Sequence, residues 1–207
     1  RMLARNPFYW LAGRDPVKPM LVWGVLGLGG LIWLLGVLID RREWLNEVHY
    51  AITAYLVHTV LKFWVAFEAC RQLAGDRRSG ALELLLVTPI TARQILRGQV
   101  RALVKQFGFP VLVVLAVDVL FWRGVRHPID QEWSLFMGSI TLLFVADLVA
   151  LTCVGMRQAL HSRTVNRAVG ATIIRILILP WIANAIALTA SIVMHNFSWI
   201  RRLPWPQ

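Results

Sequence analysis

Twenty residues from Met20 to Ile39, MLVWGVLGLGGLIWLLGVLI, contain no Asp, Glu, Lys, Arg or His. As a helix the run measures about 30 Å, the thickness of a bilayer's hydrocarbon core. A secretory signal peptide has a shorter apolar core and a small-residue cleavage site; neither is evident, so the run reads as a retained span. Its glycines Gly24, Gly27, Gly29 and Gly30 superficially resemble a nucleotide loop. Set in an unbroken apolar span, they point to close helix packing.

The whole chain has the same character. Of its 207 residues 57% are apolar and 16% charged, against about a quarter charged in an ordinary soluble domain. Four further weakly charged stretches follow, giving five expected spans at about 20–39, 48–70, 107–122, 134–156 and 168–194. The second is the least apolar, because it holds His49, His58, Lys62 and Glu68, and the third carries Pro110 near its start.

The formal charge of +11 raises the question of nucleic acid. In a membrane protein basic residues collect on the cytoplasmic face and beside anionic headgroups, and no nucleic-acid partner is expected. The alternate connecting segments 1–18, 71–105 and 157–167 hold four, seven and three Lys or Arg, fourteen together. The opposite set, 40–47, 123–133 and 195–207, holds two each, six together. That asymmetry places the N-terminus and the long segment 71–106 in the cytoplasm of a multi-pass cell-membrane protein. Trp44, Trp122, Trp133, Trp199 and Trp205 lie in or beside the outward set, as an interfacial belt would, while Trp10 lies on the other side. Cys70 and Cys153 have no metal-ligand spacing, and no metal site is expected.

The first eighteen residues form a separate element. Asn6-Pro7-Phe8-Tyr9-Trp10-Leu11-Ala12-Gly13 starts with a good N-cap and a Pro at the first helical position. Its large apolar side chains predict a short helix lying in the cytoplasmic membrane interface before the first span.

Between the second and third spans the chain reads Asp76-Arg77-Arg78-Ser79-Gly80-Ala81-Leu82-Glu83-Leu84-Leu85-Leu86-Val87-Thr88-Pro89-Ile90-Thr91. Gly80 permits a sharp backbone change and Pro89 forbids helix continuation, which leaves one helix of about two turns between them. Thr91 is a candidate N-cap for a second helix, in which Arg93, Arg97, Arg101 and Lys105 recur every fourth residue while Leu96, Val100, Leu103 and Phe107 share another face. Contact with lipid phosphates is the preferred reading of that basic stripe, ahead of an acidic partner protein.

These residues resemble the permeases of the type-2 ATP-binding-cassette (ABC) exporters. In that family the loop after the second span carries acidic and basic residues, then Gly-Thr-Leu-Glu with leucines, a Thr-Pro or Ser-Pro, and a helix leading to the third span. The counterparts are Asp76, Arg77, Arg78, Gly80-Ala81-Leu82-Glu83-Leu84-Leu85-Leu86 and Thr88-Pro89, with Ala81 in place of the usual Thr. The resemblance implies that this loop is a coupling helix docking on a separate cytoplasmic ATPase, with Asp76, Arg77, Arg78, Gly80, Leu82, Glu83, Leu84 and Leu85 forming or flanking the contact. It further implies a pair of permeases, identical or different, with ATP and Mg held by the partner ATPase and no cofactor on this chain. It also implies a sixth span beyond the five present, which the Trp199 to Pro206 segment would precede.

Polar residues within the spans carry the remaining expectations. Asp147 is expected to pair with Arg175, which lowers the penalty of burying either, and Lys62 to snorkel toward the cytoplasm. Pro180, Trp181 and Asn184 suggest a kink and a polar spot on a substrate path, although ordinary helix packing explains them as well. Asp118 and Asp147 fall at similar depth, as a paired-aspartate intramembrane protease would require, but neither stands in the Gly-x-Gly-Asp setting of that class. No Gly-x-x-x-x-Gly-Lys-Ser/Thr sequence occurs, so the chain is not expected to be an enzyme and no catalytic residue is assigned. The rival readings are a passive channel or structural membrane protein and, more remotely, the intramembrane protease.

Overall fold

A computed structural model describes residues 17–78, 80, 91–124 and 131–200. Every regular element among them is helical: α1 (Val17–Ile39), α2 (Arg41–Trp44), α3 (Glu47–Arg78), α4 (Ala92–Gly124), α5 (Gln131–His161), α6 (Val165–Ile173), a π turn (Ile174–Ile178) and α7 (Leu179–Ile200). Five helical stretches are long and apolar enough to cross a membrane: Met20–Ile39, Glu47–Arg78, Arg93–Arg123, Glu132–His161 and Val165–Val193. They mark an all-helical membrane protein. Of the expected interfacial element, residues 1–18, all but Val17 and Lys18, which begin α1, lie outside the described residues, as does the expected coupling helix between Gly80 and Pro89, with Leu82, Glu83, Leu84 and Leu85.

The helices outrun the apolar segments that announce them. α3 continues through Arg71, Arg77 and Arg78, and α4 runs unbroken from Ala92 through Pro110 to Gly124. The amphipathic helix and the third span expected as successive elements are therefore one rod. Pro110 removes a single backbone donor, and the helix tolerates that loss because Pro110 is buried against its neighbours. The run from Val165 to Ile200 is likewise continuous, except that it widens into the π turn. There the Leu179 N–H reaches the Ile174 carbonyl, just before Pro180, whose missing N–H disturbs the same turn.

α3 is the hub, packing against α4, α5 and α6, and most extensively against α5. The α3–α5 contact is close because small residues meet there: a Cβ added at Gly155 would lie 3.2 Å from Ala69 Cβ and 3.3 Å from Cys70 Sγ. Three apolar layers stack along the bundle. Tyr50, Phe121 and Met137 with Trp33 form one end; Leu61, Val65, Leu103, Phe107 and Phe144 with Val22 form the middle; Leu73, Ala74, Met156 and Ala159 form the end nearest Gly80.

α1 rests mainly on α4 and α2. Nothing lies within 4 Å of a Cβ placed on Gly24, Gly27, Gly29 or Gly30, so the close packing expected of these glycines is not made among the described residues. Gly36 is the exception on α1, since a Cβ there would run into the indole of Trp44.

Gly155→Val should push α3 and α5 apart and destabilise the protein by about 1–3 kcal/mol, the usual range for overpacking. Thermal unfolding of the purified protein in detergent measures it.

Candidate functional site

Two turns of α3 carry basic side chains into the apolar length of the bundle. His58 and Lys62 are four residues apart, so both project from one face of the helix. His58 Nε2 lies 2.8 Å from Asp118 Oδ2 of α4, and both side chains are only 3% exposed. Lys62 Nζ lies 2.7 Å from Asp147 Oδ2 of α5, with side chains 15% and 18% exposed. The two pairs therefore tie α3 to a different neighbour on successive turns.

Phe144, three residues before Asp147 on α5, is fully buried and stacks on the His58 ring with centroids 4.0 Å apart and planes 9° from parallel. The imidazole is thus fixed by a ring face on one side and a carboxylate at its edge. Lipid offers such groups no hydrogen bonds, so an unpaired carboxylate or ammonium at this level is costly, and opposite charges held at contact distance offset that penalty.

This geometry corrects one expectation. Asp147 takes Lys62 as its partner in place of Arg175, and Lys62 does not snorkel. The extensive α3–α5 packing brings position 62 onto position 147, whereas Arg175 lies exposed on the π turn. The two aspartates singled out for a protease dyad are each bonded to a separate base on α3. Trp181 and Asn184 are exposed on α7, whose main contact is with the π turn, so among the described residues they line no path.

Toward the Gly80 end, α3 continues as a polar strut. Glu68 is 2% exposed and accepts from Arg71 Nε (3.3 Å) and Gln72 Nε2 (3.0 Å). Cys70 Sγ donates to the Gly155 carbonyl at 3.5 Å and touches Thr172 Oγ1 at 3.5 Å, joining α3, α5 and α6. The Arg77 guanidinium donates to the carbonyls of Leu160 and Ser162. Those carbonyls end α5 and its loop, where a helix leaves acceptors unpaired and a cation is favoured. Asp76 is half-buried and Arg78 exposed.

The ends that flank residues 81–90 are well defined. Gly80 has φ +72°, and its N–H donates to the Arg77 carbonyl at 3.3 Å. This is the left-handed helix stop that glycine alone adopts without penalty, as its place in the sequence suggested. On the far side the Thr91 N–H donates to Gln94 Oε1 at 2.9 Å, and the Gln94 N–H reaches the Thr91 carbonyl at 2.8 Å, so α4 starts where Thr91 was expected to start it. Among the described residues no group of three or more His, Cys, Asp or Glu could hold a metal ion.

His58 and Phe144 were missed by the sequence reading as site residues. The i, i+4 spacing of His58 and Lys62 in an otherwise apolar span was the available signal, but it entered only as a weakening of hydropathy. Comparison of the chain with protein-family models, with curated proteins and with solved structures finds no match.

Asp118→Ala should lower stability by about 1–3 kcal/mol, the penalty for leaving a buried polar partner unpaired. His58→Phe with Asp118→Leu, which removes both polar groups, should be closer to wild type than Asp118→Ala. Unfolding of the variants in detergent measures both.

Proposed function

We propose that the chain is the membrane-spanning subunit of an ATP-driven exporter of the type-2 ABC permease kind, with ATP hydrolysed by a separate polypeptide. The observation that carries this reading is the continuity of α3 and α4. Each is a single helix of 32 or 33 residues, and each runs from the flank of residues 81–90 to the paired charges inside the bundle.

A force applied at the Gly80–Thr91 end is delivered along such rods to the turns bearing His58, Lys62 and Asp118. The Gly80 stop and the Thr91 cap give the intervening segment sharp hinges at both ends. The Arg77 contact with Leu160 and Ser162 makes the end of α5 follow α3. In this mechanism the segment from Ala81 to Pro89 seats on the ATPase, with Leu82, Glu83, Leu84 and Leu85 as its contact and Asp76, Arg77, Arg78 and Gly80 beside it. Closure of the ATPase tilts α3 and α4 with the end of α5 carried along, and the bundle alternates between inward-open and outward-open states.

The partner ATPase supplies ATP and Mg, and a second permease copy, the same or a related chain, completes the path for the substrate. Trp181 and Asn184, exposed on α7, are available to a path built between two such subunits. The basic Gly80 end and the N-terminus face the cytoplasm in this reading, and the membrane is the cell membrane.

The test is topology together with composition. A Thr91→Cys variant should react with a membrane-impermeant maleimide only after the cytoplasmic face is opened, and Glu47→Cys from outside. Tagged protein purified from its native membrane should bring down a nucleotide hydrolase. Labelling of position 91 from the exterior, or an intact complex with no hydrolase, would sink the reading in favour of a passive channel or structural protein.

A further inference from the structure

Arg93, Arg97, Arg101 and Lys105 form the basic stripe of α4, and all four are exposed. Treated as a separate amphipathic helix, the stripe would lie flat on lipid headgroups along its whole length. The unbroken rod changes that, because it stands the four residues at different heights.

α4 has 33 residues, a length of about 50 Å, against about 30 Å of hydrocarbon. At its far end the apolar run stops at Trp122 and Arg123. About twenty residues inward from there fill the core, so Arg101 falls at the opposite edge. Arg97 then stands about 6 Å and Arg93 about 12 Å beyond the hydrocarbon, while the headgroup layer on one side is only about 5–7 Å deep. Helical side chains also lean toward the helix N-terminus, which for α4 is the end away from the bilayer. Arg93 and Arg97 therefore reach into water, and Arg101 and Lys105 stay at the headgroups.

The charge around them selects the partner. Among the described residues neither Arg93 nor Arg97 forms an ion pair. The described acids at this end, Glu68 and Asp76, are buried or half-buried and already engaged. The exposed described acids, Asp40, Glu47 and Glu132, sit at the opposite end, while Arg78, Arg163 and Arg167 add exposed positive charge at this one. A second copy would present the same sign and be repelled.

We propose that Arg93 and Arg97 are a docking face for a carboxylate-bearing surface of a water-soluble protein, and that Arg101 and Lys105 serve the lipid. The proposal rests on the transporter reading, in which that protein is the ATPase subunit. Two well-spaced arginines one turn apart fix register and speed encounter.

The experiment uses the full chain, tagged and purified in mild detergent from its native membrane. ATP hydrolysis in the eluate reports the partner, and native mass spectrometry counts retained anionic lipid. Arg93→Glu with Arg97→Glu should lower co-purified hydrolysis about tenfold at unchanged lipid, and Arg93→Gln with Arg97→Gln should lower it less. Arg101→Glu with Lys105→Glu should reduce retained lipid and leave hydrolysis within about twofold of wild type. Equal hydrolase loss from both Glu pairs, or lipid loss from the Arg93 and Arg97 variants at full hydrolase recovery, assigns the whole stripe to headgroups and overturns the proposal alone. Absence of any hydrolase with wild-type protein overturns it together with the transporter reading.

Discussion

A buried His58–Asp118 hydrogen bond and a Lys62–Asp147 ion pair, on successive turns of α3, set the order of the bundle. A lipid-facing helix can be rotated or slid at little expense when its surface is uniformly apolar, because lipid tails solvate every face alike. His58 and Lys62 remove that freedom. Each must meet its carboxylate at contact distance, His58 with Asp118 on α4 and Lys62 with Asp147 on α5, so the rotation and height of three helices are specified together. Phe144, stacked on His58, covers one face of the imidazole.

What the pairs fix in the middle, other contacts carry toward the Gly80 end. Ala69, Cys70 and Gly155 bring the α3 and α5 backbones close, Cys70 adds Thr172 of α6, and Arg77 closes the end of α5. α3 is thus joined to its neighbours at three levels and has one clear break, at Gly80. α7 is the opposite case. It packs mainly on the π turn, and its apolar side chains from Leu179 to Val193 are exposed. Two continuous helices, α3 and α4, by contrast meet at the turns bearing His58, Lys62 and Asp118.

The five apolar segments were plain in the sequence because hydrocarbon demands length and lack of charge, and both can be counted. The turn signals at Gly80 and Thr91 were also legible, since each rests on local backbone chemistry. Helix ends were not. Arg71 to Arg78 are polar enough to read as a connecting segment, yet α3 continues through them, and the helix expected after Thr91 runs on into the third span without a break. Pairing was harder still. Depth alone suggested Arg175 for Asp147, and finding Lys62 there instead needs the rotation of each helix, which the π turn before Pro180 alters for Arg175. The loss of apolar character at His58 and Lys62 was a sign of buried partners, because such residues persist in a span only when something offsets them.

The most direct measurement is a charge exchange across α3 and α5: the thermal unfolding midpoint of Lys62→Asp, of Asp147→Lys and of the two combined, in the same detergent. If opposite charges at this contact hold the helices in register, each single substitution sets like charges against one another and lowers the midpoint sharply, while the exchanged pair returns most of the way to wild type. An exchanged pair no more stable than the single variants would mean that packing alone orders the bundle, and would contradict the account.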